Sequence, residues 1–339
     1  MSSKKILLFS LETLSCFYLT LGSISCYLLP LTEFLKAIIA LPCLLIIPYL
    51  TGLIVTLPIR NKLREHYELL PTHIICYFIG FLFIGIITMA LQFLSLHIIL
   101  KNLPFILLTV LVCLFFLMRK YKTQISLENA EIFRILKGNQ LIILVLTLFA
   151  IVAFIISKVK LPFPYLGVDW VNPQSIYLIV IRAVEDGFLF GIRSMFLVQL
   201  FFSAKMFNVD PLSLMWTGTL LNLFVYCFSL YLFSYTLFKD RLIALLTTHF
   251  GLYILAYNGK ILNNLFTTIP AYSFYPSPFL FSFYPLALYL SYKTFLTQDK
   301  ESVSNFRKML FISISPVSYT HLRAHETSLH IVCRLLLEK

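Results

Sequence analysis

The chain has 339 residues, 59% of them hydrophobic and only 12% charged, with a mean hydropathy of +0.88. A soluble domain exposing that much apolar surface would aggregate, so a soluble globular fold is excluded. The formal net charge of +12 falls on short segments between apolar runs. That pattern is the lysine and arginine excess of cytoplasmic loops, not a nucleic-acid footprint.

Crossing a bilayer takes about 20 apolar residues per helix. Such runs occur at residues 6–29, 34–57, 74–94, 103–118 and 141–157, then at 192–207, 212–238, 242–257 and 279–295. Continuous apolar runs of this length specify helices, because barrel strands alternate over about ten residues. The expected fold class is all-α, a polytopic transmembrane helical bundle with about nine complete spans. The first run exceeds the apolar core of a signal peptide, carries Glu12 and lacks a small-x-small cleavage site, so a retained first helix is expected. Pro42 and Pro48 each remove a backbone donor and should kink the second helix. Cys16, Cys26, Cys43, Cys76, Cys113 and Cys227 have no ligand spacing and read as buried thiols. His97 and His249 lie in apolar runs without acidic partners, which suits packing or an interhelical hydrogen bond. Glu33 and Lys36 read as interfacial.

Lys4 and Lys5 place the N-terminus inside the cell. The segments at Arg60 to Arg64 and Arg119 to Lys137 are also basic and agree with it. Alternating crossings would then put Lys205 inside and Lys239 and Arg241 outside, against the rule. Residues 1–118 form N-terminal hairpins, 119–140 a cytoplasmic linker, and 141–316 a second transmembrane module.

The second module opens with an outside loop, Lys158 to Trp170, rich in proline and aromatics. After Asn172 comes a helix-like stretch from Ile176 to Gly187, which Pro173 is placed to open and Gly187 to close. It is too short and too charged to span, so it should lie along the membrane surface. Asp169, Glu185 and Asp186 are the carboxylates between Glu131 and Asp210, and three gathered at one interface mark a candidate site. Arg182 is at helical spacing from Glu185 and Asp186, so an ion pair is expected there.

This arrangement of Val168-Asp169-Trp170, the 176–187 segment and the hairpin 212–257 resembles the membrane glycosyltransferases of the GT-C fold. Protein mannosyltransferases and oligosaccharyltransferase catalytic subunits belong to that family. The resemblance covers roughly residues 141–257 and is one of pattern. Many relatives carry a second acid or a histidine beside the loop acid, whereas Val168 and Trp170 flank Asp169 here. What the resemblance implies is transfer of a sugar from a polyprenyl-phosphate donor, on the outer face of the cytoplasmic membrane, with Asp169 as catalytic base. A carboxylate partly withdrawn from water gains base strength, as that role needs. Arg182, Arg193, Lys158 and Lys160 would hold the phosphate, and Tyr165 and Trp170 would stack on sugar or anchor the loop. Glu185 and Asp186 would line the substrate site. No cofactor is required by the sequence, no metal ligand set stands out, and dependence on a divalent ion stays open. A transporter or lipid-linked-sugar flippase, or a non-catalytic membrane scaffold subunit, remains an alternative. The hairpin from Phe34 to Leu50 looks like one preceding the transferase module in some archaeal membrane proteins.

The C-terminal stretch is of another kind. Val317 to Thr327 resembles one reading frame of a transposon-end sequencing adapter, and Val332 to Lys339 the same frame of a downstream adapter. Residues 317–339 are therefore set aside as adapter-derived, with His321, His325, His330 and Cys333. The expectation is that the natural chain continues beyond Pro316.

Overall fold

The computed structural model describes residues 11–60, 63–64, 67–117, 135, 137–160, 173–187, 195–257 and 282–296. These are about 90% helical, with no strand among them. In chain order the helices are α1 (Leu11–Leu28), α2 (Glu33–Ala40), α3 (Cys43–Thr56), α4 (Leu69–Phe93), α5 (His97–Leu117) and α6 (Gln140–Lys160). There follow α7 (Pro173–Asp186), α8 (Met195–Phe207), α9 (Pro211–Phe238), α10 (Arg241–Tyr257) and α11 (Tyr284–Leu296).

Local chemistry sets several of the ends. Thr32 caps α2 by accepting the Leu35 amide at 3.4 Å, and Asp210 caps α9 by accepting the Ser213 amide at 2.9 Å. Pro211 occupies the first turn of α9, where its missing amide costs nothing. The same helix stops at Lys239, in the left-handed region at φ 57°, and Asp240 then accepts the Ile243 amide at 2.9 Å.

Among the described residues four helical segments are long and apolar enough to cross a membrane: Glu33–Ile59, Leu69–Phe93, His97–Leu114 and Pro211–Phe238. The segments Thr13–Leu28, Gln140–Ile155, Leu197–Phe207 and Arg241–Leu252 are apolar but shorter. The described residues thus form an apolar helical bundle with four candidate membrane-crossing helices.

The bundle has two ends, defined by contacts between turns. At the Glu33 end, the Glu33 carboxylate accepts the Asp210 amide at 2.8 Å, and Lys36 donates to the Asn208 carbonyl at 3.3 Å. Phe34 meets Trp216 with ring centroids 5.8 Å apart, and Trp216 also meets Phe154 at 5.7 Å. The α1–α2 turn, the α8–α9 turn and the later part of α6 therefore share this end. At the opposite, Arg60 end, Lys293 of α11 pairs with Glu68 at 2.8 Å.

These contacts change the course expected for residues 192–207. Ser23 donates to the Met206 carbonyl, and Tyr27 donates to the Lys205 carbonyl at 2.7 Å. A Cβ at Gly22 would stand 2.9 Å from the Phe207 ring and 3.4 Å from Ile39. Helix α8 thus climbs beside α1 and α2 towards the Glu33 end and does not descend to the other. Thirteen residues of helix cover only about 20 Å, short of the roughly 30 Å hydrocarbon core, so partners set its depth. Helix α9 then starts at the Glu33 end, and its 28 residues carry Lys239 and Arg241 to the Arg60 end. The expected placement of Lys205 opposite the first turn, and of Lys239 and Arg241 beside it, is therefore reversed.

Helices α3 and α4 cross at two glycines. A Cβ at Gly52 would fall 1.7 Å from the Cys76 carbonyl oxygen, and one at Gly80 would fall 1.8 Å from that of Pro48. Each helix uses its missing side chain to admit the other's backbone, as small residues do in membrane helix pairs. In the core that takes in this crossing Leu44, Ile47, Leu50, Phe201, Phe202 and Phe207 are fully buried. The apolar residues of α8 join the core built by α1 to α5, so the two sequence modules interlock. A second core joins α6, α9 and α10 through Leu146, Ala150, Leu223, Cys227 and Ala244.

Candidate functional site

Helix α7 is amphipathic in fact as in pattern. Val180 and Ala183 are fully buried, with Ile179 and Val184 packed beside them, and Arg182, Glu185 and Asp186 are exposed. Pro173 is its first residue, and Gly187 follows its last with φ 70°. The Gly187 amide returns to the Ala183 carbonyl at 3.1 Å, closing the helix in the left-handed conformation glycine adopts freely.

Glycine at 187 answers a second demand. A Cβ there would stand 2.1 Å from the His97 carbonyl oxygen and 2.9 Å from the Lys101 side chain. In return His97 Nδ1 lies 3.3 Å from the Gly187 carbonyl, so His97 makes an interhelical hydrogen bond, one of the two roles its sequence context suggested. The start of α5 is thereby fastened to the end of α7.

From the other side comes Lys205 of α8, whose Nζ donates to the Val184 carbonyl at 2.9 Å. A cation suits the last turn of a helix, where carbonyls lack intrahelical partners and the dipole is negative. Two lysines thus flank the end of α7. Tyr27 of α1, bonded to the Lys205 backbone, adds an aromatic wall with Phe105 of α5 at 6.4 Å.

Of the residues expected at the site, Arg182, Glu185 and Asp186 stand on this helix, facing out. The expected ion pair from Arg182 to Glu185 or Asp186 is not made; the ion pairs among the described residues are Lys36–Glu33 and Lys293–Glu68. Exposed side chains pay entropy to hold such a pair and gain little from it in water. Lys158 and Lys160 fall in the last turn of α6. Asp169, Tyr165, Trp170 and Arg193 lie outside the described residues, as do most of the linker and residues 317–339. Lys101, Lys205 and Tyr27 were not expected at the site. The signal for the lysines was present, since each is a lone lysine in an apolar run, Ile98-Ile99-Leu100-Lys101 and Lys205-Met206-Phe207.

Among the described residues no group of three or more His, Cys, Asp or Glu stands together to hold a metal ion. His249 packs between Phe149 and Phe250, with centroids 5.0 and 6.1 Å away. Elsewhere in the bundle, Tyr49 Oη and His73 Nδ1 are 2.8 Å apart. Gln199 Nε2 is buried on α8 without a hydrogen-bond partner among the described residues, and one turn on Ser203 Oγ is buried beside the Cys43 thiol. An open apolar groove of about 460 Å³ runs between α9 and α10, lined by Tyr226, Leu230, Leu246 and Phe250. Comparison with protein families, curated proteins and solved structures found no match for this chain.

Proposed function

We propose that this protein is a membrane glycosyltransferase that takes a sugar from a polyprenyl-phosphate donor at the face where α7 ends. The observation that supports it is the junction of α7 with α5 and α8. A helix with exposed Arg182, Glu185 and Asp186 ends there between Lys101 and Lys205, in a chain with only 12% charged residues. Membranes tolerate such groups chiefly where they serve a ligand or a path.

The reaction needs two things of the protein. A base must take the acceptor hydroxyl's proton as its oxygen bonds to the sugar's anomeric carbon, and that role falls to Asp169. Cations must steady the phosphate as the bond from that carbon to the phosphate oxygen breaks and the oxygen keeps the electron pair. With the N-terminus inside the cell, the Glu33 end and α7 face outward, where a lipid-linked sugar waits in the outer leaflet of the cytoplasmic membrane. The Arg60 end then carries Arg64, Lys137, Lys239, Arg241 and Lys293, as the positive-inside rule asks. Lys239 and Arg241 thus support this orientation once the course of α8 is known.

The test is Asp169→Asn in membranes supplied with a polyprenyl-phosphate sugar and an acceptor. Transfer should fall by at least about a hundredfold, with insertion and helix content unchanged. Undiminished transfer would remove Asp169 from the mechanism. One observation favours a second reading, a transporter or flippase for lipid-linked sugars: α8 stops within the bundle with Gln199 and Ser203 buried on it, as broken helices do around transported substrates.

A further inference from the structure

Lys101 belongs to the N-terminal hairpins, and Lys205 to the module that resembles a transferase. Their meeting at one helix end is a product of folding, separated by about a hundred positions in the chain. The geometry is specific. Lys205 Nζ is committed to the Val184 carbonyl at 2.9 Å, and the Lys101 side chain begins beside Gly187, three residues further on. Each lysine is partly buried, and neither forms an ion pair with a described carboxylate. Glu185 and Asp186 on α7 are exposed, and Asp210, the acid nearest to Lys205 in sequence, caps α9. The helix end balances about half a charge, which is less than two ammonium groups carry. Beside them stand Tyr27, about half exposed, and Ile98, 81% exposed, so the site borders the lipid.

We infer that Lys101 and Lys205, walled by Tyr27, form a binding site for the phosphate of a lipid in the adjoining leaflet, and that the N-terminal hairpins thereby complete the site of the second module. The inference rests on the glycosyltransferase reading for its biological substrate, but its chemistry is only that of a phosphate carried on an apolar chain, as in the polyprenyl phosphate that leaves on transfer. Lysines recognise such a group as point charges. The apolar chain would lie along α1 and α5, where Phe105 and Tyr27 meet. The exposed carboxylates would favour a substrate carrying hydroxyl donors above the phosphate.

The experiment measures binding to the full chain in detergent micelles, with farnesyl phosphate as probe and farnesol and inorganic phosphate as the two partial probes. Farnesyl phosphate should bind and raise the unfolding temperature; farnesol should do neither. Lys101→Gln should weaken farnesyl phosphate about tenfold, the worth of one charge-assisted contact, while Lys101→Arg should keep most of the affinity. Lys36→Gln, at the same end but paired with Glu33, should bind like the parent. Equal binding of farnesol and farnesyl phosphate, or parental affinity in Lys101→Gln, would overturn the site. Inorganic phosphate binding as tightly as farnesyl phosphate would overturn its assignment to lipid. Since no transfer is measured, the site can stand when Asp169→Asn remains active, and can fall when that variant is dead.

Discussion

Replacing Gly80 with alanine should be among the most damaging single changes open to this chain. The added Cβ would sit 1.8 Å from the Pro48 carbonyl oxygen, 2.4 Å from the Gly52 nitrogen and 2.9 Å from its Cα. All three atoms are backbone, so no rotamer change relieves the clash. Restoring ordinary contact requires α3 and α4 to part by about 1.5 Å, and a gap of 0.5–1 Å already forfeits a quarter to a half of each dispersion contact. Overpacking of this kind costs about 1–3 kcal/mol where side chains can yield, and the upper part of that range applies here. Parting the helices also strains the Tyr49–His73 contact at 2.8 Å and the Thr56–Cys76 contact at 3.2 Å. Each polar contact between membrane helices is worth about 0.6 kcal/mol. A total near 4 kcal/mol follows, close to a thousandfold in the unfolding equilibrium. The assay is reversible unfolding in mixed micelles, followed by circular dichroism. Gly138→Ala is the matched control, since a Cβ there meets nothing within 4 Å, and it should be neutral within about 0.5 kcal/mol. A cost below about 1 kcal/mol for Gly80→Ala would refute the argument from backbone contact.

Gly187→Ala joins a left-handed φ of 70° to a clash of 2.1 Å with the His97 carbonyl. It should cost about 1–3 kcal/mol and free the end of α7, seen as faster amide exchange from Ala183 to Gly187 while the α3–α4 core stays protected. For the course of α8, single cysteines at Asn208 and Lys239 should react with an impermeant maleimide from opposite sides of the membrane, in a Cys113→Ser background. Cys113 is the exposed native thiol among those described, the others being buried. Labelling of both positions from one side would show that α9 does not join the two ends.

Much of the secondary structure was legible because it depends on neighbours in sequence. Apolar runs longer than a bilayer is thick cannot be housed in water, and their lengths placed most helices near their observed bounds. Pro173 and Gly187 marked the limits of α7 because a missing amide and a permitted positive φ are properties of single residues. The site was legible in part for the same reason: Arg182, Glu185 and Asp186 are exposed because the 3.6-residue period turns them away from Val180 and Ala183.

Direction and partnership were not legible, because hydropathy has no sign. A short apolar helix reads alike whether it descends or climbs, and α8 is too short for the bilayer to choose. Bonds from Ser23, Tyr27, Glu33 and Lys36 to the α8–α9 turn decide it. That choice carries Lys239 and Arg241 to the basic end and brings Lys205 to Lys101. The sequence by itself determined that this chain must be an apolar helical bundle and, to within a few residues, where most of its described helices lie. Only the tertiary structure decided which way α8 runs and which lysines meet, because those outcomes depend on contacts between residues about a hundred or more positions apart.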